Sequence, residues 1–214
     1  MIDIDNYTIV PLFSKVVACS NLNLNKSEIK RILDILKTIK MTKVNDSGNL
    51  EAAHTSIDLN VLENKKLLFL KKKILNSFML FKNNVLHCEN DFKIITSWIA
   101  LTKKEEHTQN FHKHTNCFYS GILYIKTPEN CGDIEFRSFN DKNFDANYKE
   151  TNIFNAESWL FKPIESRILF FPSETWHSVK RNKSNEDRIS IAFNFFPVGK
   201  IGNKDSQANL SLKL

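Results

Sequence analysis

Apolar positions change their period part-way along this 214-residue chain. Before residue 90 the spacing is helical. Ile29, Ile32, Leu33, Leu36 and Ile39 recur every three or four residues, and Asn25 followed by Glu28 has the spacing of an N-terminal capping box, so one amphipathic helix is predicted over 26–40. Leu67, Leu68, Leu70, Ile74, Leu75, Phe78 and Phe81 outline a second helix over 62–82, with Asn83 and Asn84 ending it. From residue 92 the pattern becomes short, β-branched and alternating, which predicts strands at 92–101, 117–126, 133–137, 159–162, 167–171, 176–181 and 188–196. Strands that follow one another without helices between them make an antiparallel sandwich, not a parallel sheet, and two helices precede them.

The remaining segments carry weaker signals. Residues 7–17 alternate faintly and contain Pro11, which suits an edge strand or an entry segment. Residues 41–60 are rich in turn formers and read as a loop, with His54 an ordinary surface histidine and the charged run 103–110 a break between strands. A connection as long as 139–158 with no period of its own suggests a lid or binding loop. The expected organisation is a single domain: helical and entry elements over 1–91, a β core over 92–197 and a C-terminal tail over 198–214.

Composition excludes several classes. At 42% hydrophobic and 25% charged the chain is an ordinary globular sequence, and no apolar run is long enough to span a bilayer. The first residues carry acids where a secretion signal needs positive charge, and Cys19, Cys88, Cys117 and Cys131 show neither CxxC spacing nor a disulfide framework. A soluble cytoplasmic protein with reduced thiols and no membrane partner is expected. A net charge of +6 permits contact with nucleic acid, but the basic residues are scattered, and the dense run Lys71, Lys72 and Lys73 falls on the solvated face of the second helix. The oligomeric state is not legible. Adjacent His87 and Cys88 lack the further cysteines a zinc site uses.

The chemistry concentrates after residue 110. His112 and His114 stand two apart, so on an extended chain both imidazoles point to one side and can converge on one ion. His177, after the proline turn in FFPSETW, supplies a third from a strand mouth. Arg188 lies eleven residues further on and opens the run RISIAFNFF, where Arg188, Ser190, Ala192 and Asn194 share one face. If that face were merely the wet side of a sheet, these polar residues would need no further explanation. Small Ala192 and the planar fork of an arginine instead suit a carboxylate ligand.

At these residues the chain resembles the 2-oxoglutarate and Fe(II)-dependent oxygenases, particularly an uncharacterised bacterial and phage group with a histidine-rich motif followed by SG and a tyrosine. The resemblance spans about residues 98–194 and implies a double-stranded β-helix, the jelly roll shared with cupins. It implies that His112, His114 and His177 bind Fe(II). Ser120, Gly121 and Tyr124 match the strand after the first motif, and FPSETWH matches the turn to the distal ligand. RISIAFN matches the cosubstrate strand, so Arg188, assisted by Ser190, Tyr124 and Asn194, would hold 2-oxoglutarate. The implied activity is a dioxygenase that hydroxylates an unknown small or macromolecular substrate, using O2 and releasing succinate and CO2.

One position departs from the pattern. Most of the superfamily uses two histidines and one carboxylate. Here His114 takes the acidic position if His112 is the first ligand, and Asn116 takes it if His114 is; Asp133 and Glu135 are the nearest acids to replace it from another strand. Two other functions fit the histidines: a zinc hydrolase or lyase, which leaves Arg188 and Ser190 without a task, and a non-enzymatic jelly roll that binds or assembles.

Overall fold

A computed structural model describes residues 2–4, 6–10, 12–44, 52–139, 146–202 and 207–213. In chain order the elements are β1 (Ile2–Ile4), β2 (Tyr7–Ile9), β3 (Ala18–Asn21), α1 (Lys26–Leu36), β4 (Met41–Lys43), β5 (His54–Ser56), α2 (Leu68–Phe81) and β6 (Asp91–Thr102). There follow β7 (Thr108–His112), β8 (Tyr119–Lys126), β9 (Ile134–Arg137), β10 (Ser158–Phe161), β11 (Arg167–Pro172), β12 (Trp176–Val179), β13 (Arg188–Ile201) and β14 (Leu210–Leu212). A large antiparallel sheet runs β3-β11-β8-β13-β6-β5-β4, with β14 paired to β13. A four-stranded sheet, β10-β9-β12-β7, faces it. Ile134 and Phe136 from the small sheet pack against Ile122, Tyr124, Leu169 and Phe171 from the large one, which closes the roll. No helix among the described residues is long and apolar enough to cross a membrane.

The alternation of β13 decides what lies on each side of the large sheet. Ile189, Ile191, Phe193 and Phe195 point outward into the core under the helices. Arg188, Ser190, Ala192 and Asn194 therefore point inward, because successive side chains on a strand take opposite faces. On the outer side α1 presents Ile29, Ile32, Ile35 and Leu36, and α2 presents Leu70, Ile74, Phe78 and Phe81. Phe78 is the hub: it stacks on Phe195 at 3.9 Å between centroids and meets Phe92 and Phe170 edge-on. Gly121 permits this density, since a Cβ there would lie 2.3 Å from the Phe193 ring.

Several expectations change. The capping box of α1 forms as predicted, with Asn25 Oδ1 accepting from Glu28 N–H, but the helix ends at Leu36. The second helix is broken at its start into 3₁₀ turns at Val61–Glu63 and Lys65–Leu67, and Asn83 and Asn84 lie inside a π turn, Lys82–Leu86. That turn stops at His87 in the left-handed region. The loop expected over 41–60 contains β4 and β5, which extend the large sheet; its residues 45–51 lie outside the described part, as do 140–145 of the predicted long loop. His54 is not a free surface histidine, since its Nδ1 lies 3.1 Å from the Glu106 carboxylate. The break expected at 103–110 holds the start of β7, whose polar sequence gave no strand signal. All four cysteines are free thiols.

The Phe78 hub sets a prediction. Phe78→Ala should lower the free energy of unfolding by about 3–5 kcal/mol, the usual cost of removing a buried phenyl ring. Leu80→Ala, exposed on the same helix, should stay within roughly 0.5 kcal/mol of wild type. Chemical denaturation of the two variants checks this, and equal losses would remove Phe78 from the centre of the outer core.

Candidate metal and cosubstrate site

Three histidines meet at one end of the space between the sheets. His112 ends β7 and His177 lies directly across from it on β12. The chain then turns through Lys113 to Asn116, where Asn116 is left-handed and exposed, and the His114 backbone N–H donates to the Ser173 carbonyl at 2.9 Å. These contacts bring His114 to the same point, and ring atoms of the three residues available to an ion lie within 4.8 Å of one another.

Each ring has an oxygen neighbour at Nδ1. His112 Nδ1 lies 3.1 Å from the Asn110 carbonyl and His177 Nδ1 lies 2.9 Å from the Thr175 carbonyl. Carbonyl oxygens only accept, so both Nδ1 atoms carry a proton and Nε2 is left as the atom that can face an ion. His114 Nδ1 lies 2.9 Å from Asn194 Oδ1 and 2.8 Å from Ser120 Oγ, and Asn194 Nδ2 donates to Thr96 Oγ1 at 3.0 Å. Burial pushes His114 down to about 4 and His177 to about 3, with the neighbouring His112 adding to both shifts. At neutral pH these two rings are therefore uncharged, the form that binds a metal.

No carboxylate joins the cluster among the described residues. Glu135 is buried, but it lies one position off the register of His177 and is held by Arg137 at 2.7 Å and by Lys180. Asp133 lies further along and acts through space on Arg188 and Tyr124. An ion here would be held by three neutral nitrogens.

Farther along β13 lies a second polar group. Arg188 is 1% exposed, and its ends donate to the Gly132 carbonyl at 2.9 Å and to Thr102 Oγ1 at 3.0 Å. Gly132 is fixed as glycine by a φ of +88° and by the Lys180 carbonyl 2.2 Å from where a Cβ would stand. No acid within ion-pair distance neutralises the guanidinium among the described residues, and its Nε has no hydrogen-bond partner. Ser190 Oγ and Tyr124 OH are also buried without partners, on residues that pair directly between β13 and β8. Burial pushes Arg188 downward, opposed by the fields of Tyr124, Cys131 and Asp133, and pushes the Tyr124 phenol upward. A buried cation with its own Nε and two neighbouring hydroxyls orphaned is costly unless an anion completes the set.

The structure thus gathers His112, His114 and His177 at one place, and Arg188, Ser190 and Tyr124 at another along the same inner face. Asn194 stands with the histidines, both ends of its amide engaged. Sequence reasoning missed Thr96, Thr102, Ser173 and the carbonyls of Gly132 and Thr175, and gave Ser120 no contact with His114. Only the strand register brings these partners into reach, so no local pattern signals them.

The amide orientation gives a prediction. Asn194→Leu removes the acceptor that orients His114, and metal affinity should fall about 10–100-fold, as for other partners of ligating histidines. Asn194→Asp, which still accepts, should retain most of it. Co(II) titration followed by its visible d–d bands distinguishes the two, and unchanged affinity in Asn194→Leu would show that the amide does not position the ring.

Comparison with known proteins agrees with this architecture. Residues 96–194 match the family model described as Putative 2OG-Fe(II) oxygenase. Among solved structures, a prolyl-4-hydroxylase from Pseudomonas putida superposes with a TM-score of 0.59 at 11% identity, covering 86% of this chain and 94% of that one. HygX from Streptomyces hygroscopicus, solved with nickel, 2-oxoglutarate and hygromycin B, gives 0.58 at 10% identity, covering 85% and 82%. The non-heme alpha ketoglutarate dependent epimerase SnoN from nogalamycin biosynthesis gives 0.64 at 9% identity, covering 89% and 82%. At such identities these likenesses show the fold, a double-stranded β-helix. No curated protein sequence matches the chain. The matched segment, a little under half of the chain, contains the whole histidine cluster and the Arg188 strand as far as Asn194, and it is over this stretch that the chain resembles the 2-oxoglutarate and Fe(II)-dependent oxygenase family.

Proposed function

We propose that this protein is a hydroxylase of that family, with His112, His114 and His177 holding Fe(II) through Nε2 and Arg188, Ser190 and Tyr124 holding the far carboxylate of 2-oxoglutarate. The observation that carries the reading is the buried, unneutralised Arg188 with unpartnered Ser190 Oγ and Tyr124 OH beside it. All three orphaned groups suit a carboxylate, since a guanidinium and two hydroxyls can all donate. Ala192 lies between that pocket and the Asn194 end of β13, and its single methyl leaves room for a short ligand lying along the strand. A zinc hydrolase or lyase accounts for the histidines and leaves Arg188 unexplained.

The chain's own contribution is binding, orientation and exclusion of water. Imidazoles fixed by Asn110, Thr175 and Asn194 direct their ring nitrogens to one point, and His114 and His177 have no proton to displace at neutral pH. Phe136 and Phe171 lie 5.9 and 4.9 Å from the His177 ring and shield that side from water. Bound there, Fe(II) and 2-oxoglutarate supply the oxidising chemistry of the family, which consumes O2 and releases succinate and CO2. Prolyl-4-hydroxylase shares the fold, which supports hydroxylation; SnoN, an epimerase, shares it too.

The Arg188 pocket is tested by replacing the guanidinium. Its charged hydrogen bonds are worth about 1.5–3 kcal/mol each, and each 1.4 kcal/mol is about tenfold in affinity. Oxygen-free calorimetry on iron-loaded protein should show 2-oxoglutarate affinity reduced at least roughly tenfold in Arg188→Lys, and further in Arg188→Met. Iron affinity should be unchanged in both. The apo form of Arg188→Met should be no less stable than wild type, because a buried cation without an acid is replaced by an apolar chain of similar length. Equal 2-oxoglutarate affinity in wild type and Arg188→Met would refute the assignment.

A further inference from the structure

A cleft of about 760 Å3 opens beside the histidines, within the size range of small-molecule sites. Its lining includes Thr175, whose carbonyl holds His177, and Lys113, which lies between His112 and His114 in the chain. The walls are aromatic. Phe136, Phe161 and Trp159 come from β9 and β10, while Trp176 meets Phe139 edge-on at 5.4 Å. Phe139 and Trp159 remain 54% and 42% exposed on it, so rings are open to a ligand that enters.

The polar groups of the lining divide by what already engages them. Glu174 pairs with Lys15 at 3.6 Å, Glu157 has a partner, and Arg137 is held by Glu135. Two further groups stand out. The Lys113 ammonium stands 5.3 Å above the Trp176 ring and pairs with no carboxylate among the described residues. Thr175 Oγ1 is buried, on a residue 8% exposed, and has no hydrogen-bond partner. One is a cation and the other a hydroxyl free to donate. Cations already cover ring faces here, Lys113 over Trp176 and Arg137 over Phe111 at 4.5 Å, so a positively charged ligand would meet like charge. Imidazole is a neutral ligand and would leave the charge of a bound ion undiminished, which adds to the same sign.

We propose that the substrate is an organic anion with an apolar body: its carboxylate, phosphate or sulfonate lies against Lys113 and Thr175, and its body lies along Trp176 and Phe139. This rests on the oxygenase reading, with the cleft as the substrate side of the metal. The test needs no turnover. 8-Anilinonaphthalene-1-sulfonate and N-phenyl-1-naphthylamine share one ring system, and only the first carries an anion. Fluorescence titration should show saturable binding of one sulfonate dye per chain, at least roughly threefold tighter than the neutral dye, the size of a partly exposed charge contact. Lys113→Glu, at an exposed position, should weaken the sulfonate dye roughly fivefold or more and leave the neutral dye within about twofold. Trp176→Ala should weaken both. Saturating 2-oxoglutarate should displace neither, because it belongs in the Arg188 pocket.

Absent or non-saturable sulfonate binding, equal affinity for the two dyes, insensitivity to Lys113→Glu or displacement by 2-oxoglutarate would each overturn the proposal. Iron plays no part in these titrations. A protein that binds 2-oxoglutarate through Arg188 but fails here keeps its oxygenase reading and loses only this substrate class.

Discussion

The constraint on which the rest of this structure depends is a positive charge buried between two sheets without an acid to neutralise it. Arg188 is as deeply buried as the core phenylalanines, yet its hydrogen bonds go to a glycine carbonyl and a threonine hydroxyl. The guanidinium is shut off from solvent, so hydration cannot compensate. Such a group destabilises the fold unless it has a ligand to meet, which is why it carries more functional weight than the histidines. Three neutral imidazoles near one another are compatible with several metals and several reactions. A dry guanidinium with two orphaned hydroxyls on the same face calls for an anion.

β13 ties the two faces of the large sheet together. Its odd-numbered residues from 189 to 195 fill the outer core, and its even-numbered ones from 188 to 194 serve the site. The helices therefore do more than cover a greasy surface. By clamping Phe193 and Phe195 they fix the register in which Ser190 faces Tyr124 and Asn194 faces Ser120. A one-residue slip would turn Arg188 outward and a phenylalanine inward. The site geometry and the stability of the outer core thus rest on the same strand.

Much of this was legible in one dimension, for reasons that differ by residue. Arg188 and Ser190 could be read because strand alternation is strict; the spacing of two singled out His112 and His114, but β7 ends at His112, and the turn after it, with the His114 N–H donating to the Ser173 carbonyl, is what brings the second ring to the first. The longer strands and α1 carry strong periods, and the capping box at Asn25 forms as the residues suggest. β7 was illegible: its residues are polar, and it exists because β12 offers a partner and places His112 opposite His177. β4 and β5 are three-residue strands, too short to show alternation, and His54 looked isolated because Glu106 is 52 residues away. The carboxylate question could not be closed from the sequence either, since Asp133 and Glu135 lie two apart and share one face, and only the pairing of β9 with β12, which sets Phe136 and not Glu135 opposite His177, shows that this face misses the cluster.

The central claim is that one chain holds a metal and the 2-oxo acid end of 2-oxoglutarate together. Oxygen-free addition of Fe(II) and then 2-oxoglutarate, followed by visible absorption, tests it directly, because chelation of the ion by a 2-oxo acid produces a metal-to-ligand charge-transfer band that neither partner gives alone. The account predicts that the band appears with 2-oxoglutarate at one equivalent of bound iron and is absent with succinate, which lacks the oxo group. Tight iron binding with no band at saturating 2-oxoglutarate would contradict it.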